Sequence, residues 1–150
     1  MAAAQVVQAN LADVGVTVNI LPLDSGAFWT YGMEAEGGTW QDLQLLLQEF
    51  ITYPDPGWIS MWFVCEQVGV WNWERWCSEE FSSLHNAAMR ELDPAKRDVM
   101  YRRMQDLMEE SGSYRFLTNG LNVALCRDTV EPAISPSGTP LFHMFAPAST

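Results

Sequence analysis

Trp40-Gln41-Asp42-Leu43-Gln44-Leu45-Leu46-Leu47-Gln48-Glu49-Phe50-Ile51-Thr52-Tyr53-Pro54-Asp55-Pro56-Gly57-Trp58 decides how this chain is read. Leu43, Leu45, Leu46 and Leu47 by themselves suit a helix as well as a strand. Gly37-Gly38 before them and Pro54-Asp55-Pro56 after them limit the run to strand length, so a buried strand is expected over Asp42 to Phe50. Pro56 to Val64 then has room for one or two helical turns. Beyond it lies a tryptophan-dense loop between Cys65 and Cys77, carrying Gly69, Trp71, Asn72, Trp73 and Trp76.

C-terminal to the loop, Ser78 is placed to cap a helix whose first turn holds Glu79 and Glu80, where carboxylates meet the positive end of the dipole. Phe81, Leu84, Ala88 and Leu92 form its expected buried stripe. Asp93-Pro94 supplies a cap and a first-turn proline for a second helix. In that helix Val99, Met100, Met104, Leu107 and Met108 are expected to face inward. Arg97, Arg102, Arg103, Asp98, Asp106 and Glu109 are expected to face water. Phe116-Leu117 and Leu121 to Cys126 read as strands. The prolines and Gly138 from Glu131 onward suggest an extended tail over 131–150 without a core of its own.

N-terminal to the deciding stretch, residues 2 to 14 read as a helix with Val6, Val7, Ala9, Leu11 and Val14 on its apolar side. Gly15 is a left-handed stop. Val16, Val18 and Ile20 alternate with Thr17, Asn19 and Leu21 as a strand ending at Pro22. A short helix over Ser25 to Glu34, capped by Asp24 or Ser25, is broken by Gly37-Gly38. The alternation of helix and strand predicts an α/β fold with a mixed sheet flanked by helices.

Composition narrows the function. The 150 residues are 48% hydrophobic, enough for one domain with a real core. A net charge of −11 with only eight scattered Lys and Arg argues against nucleic acid and against anionic membranes. No apolar run approaches the roughly 18 residues of a spanning helix, so membrane insertion is not expected. Met1-Ala2-Ala3-Ala4 has neither the basic start nor the apolar core of an export signal.

Several weak motifs occur in a specific order: Leu11-Ala12-Asp13-Val14-Gly15-Val16-Thr17-Val18, then Asp42-Leu43 leading to Asp55-Pro56, then Asn72 and Glu80-Phe81. Asp93, Arg97 and Tyr101, followed by Gln105-Asp106 and Glu109-Glu110, complete it. This order resembles the distal lobe of the family 5 extracellular solute-binding proteins, the peptide and nickel receptors of ABC importers. The resemblance implies that residues 1–130 are part of one lobe of the type II periplasmic-binding fold, with 131–150 returning toward the hinge or the proximal lobe. It implies a periplasmic or extracellular parent protein and a small-molecule or peptide ligand held between two lobes. It also implies an ABC transporter permease as partner, no cofactor and no catalysis.

On that reading the cleft candidates are Glu49, Phe50, Thr52 and Tyr53 at the strand end, with Trp71, Asn72 and Trp73 in the loop. Peptide-binding members of the family often hold the ligand's ammonium with an Asp three positions before the acidic residue of the turn. Thr52 stands there in this chain, and a neutral hydroxyl cannot supply that charge-assisted bond. The implied ligand therefore either meets Glu49 instead or lacks a free amino terminus. Exported context implies a Cys65–Cys77 disulfide, and Cys126, in an apolar strand, reads as a buried free thiol. A lobe cut from a larger sheet exposes apolar surface, so self-association is expected.

Rival readings are weaker. A zinc site from Cys65, Cys77, His85 and Cys126 lacks any tight Cys-x-x-Cys pair. His85 and His143 stand alone in the sequence, with no visible triad. An enzyme using Glu49 or Asp55 as general base would need displaced pKa values that sequence does not display. A self-contained interaction domain would use the tryptophan surface to hold a protein partner.

Overall fold

The computed structural model describes residues 2–50, 53–118, 120, 123–135 and 137–148. Helices dominate it, with one small two-stranded sheet. Helix α1 spans Ala2–Asp13, α2 Ser25–Tyr31, α3 Gly57–Ser60, α4 Glu79–Ala88 and α5 Pro94–Glu110. Strands β1, Val130–Glu131, and β2, Ala146–Pro147, pair antiparallel, with Val130 opposite Pro147 and Glu131 opposite Ala146. Short 3-10 turns at Glu34–Glu36, Thr39–Asp42, Met61–Phe63, Cys65–Gln67 and Phe142–Met144 fill the connections.

Local chemistry sets the helix ends. Gly15 adopts φ 81°. Past it, Val16 N donates to Leu11 O at 2.9 Å, closing α1 with the six-to-one bond that a left-handed cap provides. Asp24 accepts from Ala27 N at 2.9 Å and starts α2. That helix ends at Tyr31, with Gly32 as its cap, before the expected Glu34. Ser78 accepts from Phe81 N at 3.2 Å, and Asp93 accepts from Ala95 N at 2.9 Å, with Pro94 in the first turn.

The core sits where α4 and α5 pack on the segment that follows α3. Phe63, Val64, Phe81, Ala88, Met104 and Met108 are buried together, with Ile59, Trp62, Trp76, Leu84, Met100, Leu107 and Tyr114 packed around them. Arg103 clasps the helix pair from outside, reaching Glu80 at 2.8 Å and Glu110 at 3.3 Å. Two residues assigned to the inner faces lie elsewhere. Leu92 is 93% exposed and Val99 is 67% exposed. Leu92 lies beyond the end of α4, so the stripe it would continue has already stopped.

The mixed sheet is not formed among the described residues. The expected strand over 42–50 begins inside the turn Thr39–Asp42, turns extended at Leu43 (φ −74°, ψ 111°) and has no ladder partner among the described residues. The same holds for 16–21 and for 116–117. In the expected strand Leu121 to Cys126, Leu121 and Asn122 lie outside the described residues, and 123–126 is irregular. Cys126 is exposed, not buried. The physical reason is common to all four. An apolar period of two marks a segment suited to a sheet, but a strand exists only when a neighbour supplies the other half of its hydrogen bonds.

Uncovered apolar surface is the counterpart of the missing ladders. The accessible area is 11129 Å². A compact monomer of 16.9 kDa has about 7700 Å². Leu45, Leu47, Val123, Leu125 and Phe142 all stand in solvent.

Candidate functional site

The tryptophan loop is a built object. Cys65 and Cys77 are joined by a disulfide, their Cα atoms 4.7 Å apart. Asn72 lies inside the ring so formed, fully buried. Its Nδ2 donates to Trp76 O at 2.7 Å and also lies 3.2 Å from Phe63 O and 3.3 Å from Val64 O. The amides of Val70, Trp71 and Asn72 converge on Gln67 O at 2.9–3.0 Å. Gly69 makes that turn possible with φ 81°. Ser82 Oγ on α4 accepts from Cys65 N at 3.0 Å and ties the loop to the core.

Aromatic rings continue from the loop in two directions. Toward α2, Trp73 meets Phe28 at 5.7 Å and Trp29 at 6.0 Å between centroids. Gly32 lies so close to Trp73 that a Cβ there would fall 2.2 Å from its Cγ. Toward α3, Trp71 meets Trp62 at 4.9 Å and Trp62 meets Trp58 at 6.4 Å. Phe50 packs edge-on against Trp62 at 5.9 Å, and Tyr53 against Trp58 at 4.8 Å.

Between α3 and the loop lies a concave pocket of about 190 Å³, walled by Trp58, Met61, Trp62, Gln67 and Trp71. No ionisable side chain is among these five. Two of the five carry polar atoms sealed from water without a hydrogen-bond partner: the donor Trp62 Nε1 and the acceptor Gln67 Oε1. A larger hollow of about 270 Å³ lies between 123–126 and the tail, but its walls carry no polar side chain beyond the Cys126 thiol.

Charges frame the loop without entering the pocket. Glu34 forms an ion pair with Arg75. The Arg75 guanidinium stacks 4.3 Å from the Trp40 ring centroid, on a backbone with φ 58°. Below α3, Asp55 Oδ1 accepts from Gly57 N at 2.8 Å, and both carboxylate oxygens accept from Arg97. The Gly57 amide, and after it Arg97, hold the Asp55 carboxyl below the usual carboxylate range. Burial pushes the Glu74 carboxyl up. Burial and the charge of Glu74 push the Tyr114 phenol up as well, and its hydroxyl is buried without a partner.

His85 does not stand alone in space. Its Nδ1 lies 2.8 Å from Ser60 Oγ. Burial holds the imidazole below its ordinary value, against the opposing charge of Glu66. Ser60 is buried between α3 and α4 and is also 3.4 Å from Gly57 O, which suits a packing bond better than an exposed nucleophile.

The residues selected from sequence divide into groups. Phe50, Tyr53 and Trp71 come together around Trp58 and Trp62. Glu49 is exposed and lies beside Gly120, where a Cβ would meet Glu49 Oε1 at 2.9 Å. Asn72 and Trp73 are buried, and the Trp73 Nε1 donates to Val70 O at 2.8 Å, so both shape the loop from within. Thr52 lies outside the described residues. Of the five pocket walls only Trp71 is among the sequence-selected cleft residues; Trp58, Met61, Trp62 and Gln67 are not. The available signal was the four-residue spacing of Trp58 and Trp62, which puts both on one face of a helical turn.

Among known proteins, the chain is 25% identical over 141 residues to Di/tripeptide-binding protein 1 of Pseudomonas aeruginosa (strain UCBPP-PA14). The aligned region covers 93% of this chain and 26% of the relative, so the chain spans about a quarter of the length of the curated relative it matches. No family model matches the sequence. No solved structure matches the fold.

Proposed function

We propose that this chain is a lobe segment of a solute-binding component of an ABC importer, taking a peptide-like solute between two lobes. The observation that carries the reading is the similarity to a di/tripeptide-binding protein along 93% of the chain. The uncovered apolar surface and the extended segments without ladders fit a type II periplasmic-binding lobe whose remaining strands come from elsewhere in the receptor. In this reading Glu49, Phe50, Thr52 and Tyr53 face the cleft. Trp71 contributes the ring that reaches it, while Asn72 and Trp73 hold the loop in shape. Capture works by lobe closure, stabilised only by contacts the solute makes to both sides. The closed receptor then docks on a permease in a periplasmic or extracellular setting. Alone, the chain binds peptides weakly, because one wall of the cleft is missing.

A chimaera tests this. The matched quarter of the Pseudomonas protein is replaced by this chain, and di- and tripeptide binding is measured by calorimetry. A folded chimaera that binds peptides supports the reading. One that fails to fold, as judged by circular dichroism, overturns the lobe assignment. One that folds and binds no peptide overturns the ligand class.

A further inference from the structure

The hollow between α3 and the disulfide loop is walled by Trp58, Met61, Trp62, Gln67 and Trp71, and its lining is almost wholly apolar. Three of the five walls are indoles, and they do not stack. Trp58 crosses Trp62 at 69° and Trp62 crosses Trp71 at 57°, with centroids 6.4 and 4.9 Å apart. Rings set at such angles stand as separate walls of one hollow instead of closing face to face. The hollow is open to solvent, with Trp58 43% and Met61 40% exposed. About 190 Å³ is room for a compact head group, not for a drug-sized ligand.

The walls select by chemistry. Aliphatic side chains would wall an apolar guest equally well, whereas an indole adds a negative ring face that attracts a cation within about 6 Å of its centroid. The protein's own cations leave these rings free for one. Among the described residues, Arg75 lies 4.3 Å from the Trp40 ring and Arg97 lies 5.4 Å from the Tyr101 ring, and none of these four residues lines the hollow. No carboxylate is among the five walls, so a primary ammonium would bring N–H groups that lose their water without gaining a charged acceptor. A quaternary ammonium has no N–H group to leave unpaired. A sugar would bring hydroxyls that an apolar lining does not answer. The net charge of −11 favours the approach of a cation over that of an anion.

We propose that this hollow binds a quaternary ammonium head group, caged by Trp58, Trp62 and Trp71, with the Met61 thioether as an adaptable fourth wall. The assignment stands on the walls of the hollow and not on the receptor reading.

The test uses the whole chain labelled with nitrogen-15, with the Trp58 indole signal assigned by Trp58→Phe. Three probes are titrated at one ionic strength: choline, its uncharged isostere in which carbon replaces the nitrogen, and ammonium. Choline is expected to move the Trp58 signal saturably and to bind at least about tenfold more tightly than the isostere, with no saturable shift from ammonium. Trp58→Leu, which keeps an apolar wall but removes the ring, is expected to weaken choline about fivefold and to leave the isostere unchanged, read on the remaining indole signals. Trp58→Phe is expected to fall between wild type and Trp58→Leu. An isostere that binds as tightly as choline overturns the proposal and makes the hollow a seat for apolar groups. Ammonium that binds as tightly as choline overturns it in favour of attraction to the acidic surface at large. Indole signals that choline leaves in place overturn it outright. The comparison of probes on the wild-type chain decides the matter even where Trp58→Leu fails to fold.

Discussion

Arg97 Nη2 donates to both carboxylate oxygens of Asp55, each at 3.0 Å, while its Nε donates to Ala88 O at 3.0 Å. One side chain from the first turn of α5 therefore binds the Pro54-Asp55-Pro56 turn and the C-terminal end of α4 at once. It also reaches Tyr101 Oη at 3.2 Å. Arg97→Ala should lower the urea midpoint more than Arg102→Ala, because Arg102 pairs with Asp98 one turn earlier on the same exposed face. Equal effects would deny the turn its anchor.

Asp55 brings a pH dependence with it. Its carboxyl is held below the ordinary 3.8 by the Gly57 amide first and by Arg97 second. The folded state thus favours the ionised form, and the stabilisation is present above about pH 4 and lost as pH falls through the folded value. Asp55→Asn should be less stable than wild type at pH 7, with the gap narrowing at pH 3. Urea unfolding at the two pH values reads both.

Glu74 predicts the opposite sign. Burial raises its carboxyl above the ordinary 4.5, so the folded state resists ionisation. The resulting penalty is present at neutral pH and fades as pH falls toward the unfolded value. Glu74→Gln should therefore raise the urea midpoint at pH 7 and lose that advantage near pH 4. A variant less stable than wild type at pH 7 would assign Glu74 a stabilising partner.

The tryptophan loop should depend on two groups. The Cys65–Cys77 bridge spans a separation of 12 residues, and its reduction should cost about 3 kcal/mol in the chain-entropy account. Asn72→Ala removes the donor shared by three carbonyls and should cost about 1–3 kcal/mol with the bridge intact. Unfolding monitored by tryptophan fluorescence, with and without reductant, separates the two contributions.

Gly32→Ala tests the packing of α2 on the loop. A Cβ at Gly32 would sit 2.2 Å from the Trp73 ring, so either the ring or the helix must move. Overpacking of this kind typically costs about 1–3 kcal/mol. Tryptophan emission should shift red as Trp29 and Trp73 separate. An unchanged spectrum and midpoint would mean that α2 is not seated there.

Exposed leucines and the large accessible area predict association of the isolated chain, rising with concentration. Sedimentation velocity at micromolar and tenfold higher concentration checks this. A monomer at both would mean that the apolar surface is tolerated in water.

Chain-local chemistry was legible without coordinates. Gly15 as a left-handed stop, Ser78 and Asp93 as caps, Pro94 in a first turn and the stripe of Phe81, Leu84, Ala88, Met104 and Met108 depend on residues within a turn or two of one another. The α4 and α5 pair follows from them. Other features depend on what lies across space. The Leu43–Leu47 run carries strand chemistry, yet a ladder needs a neighbour that the described residues do not provide. Leu92 and Val99 fit the helical period, yet both stand in solvent. Asn72 looked like a polar group between two cleft tryptophans, and the disulfide ring turned it inward to hold carbonyls. Ser60 and His85 are 25 residues apart in the chain and 2.8 Å apart in space. The sequence by itself determined the long helices α1, α4 and α5 and the caps that start or stop them at Gly15, Ser78 and Asp93, because those free energies are local. Tertiary structure alone decided which tryptophans wall the pocket and which segments stay unpaired, because burial and strand pairing are satisfied only by partners distant along the chain.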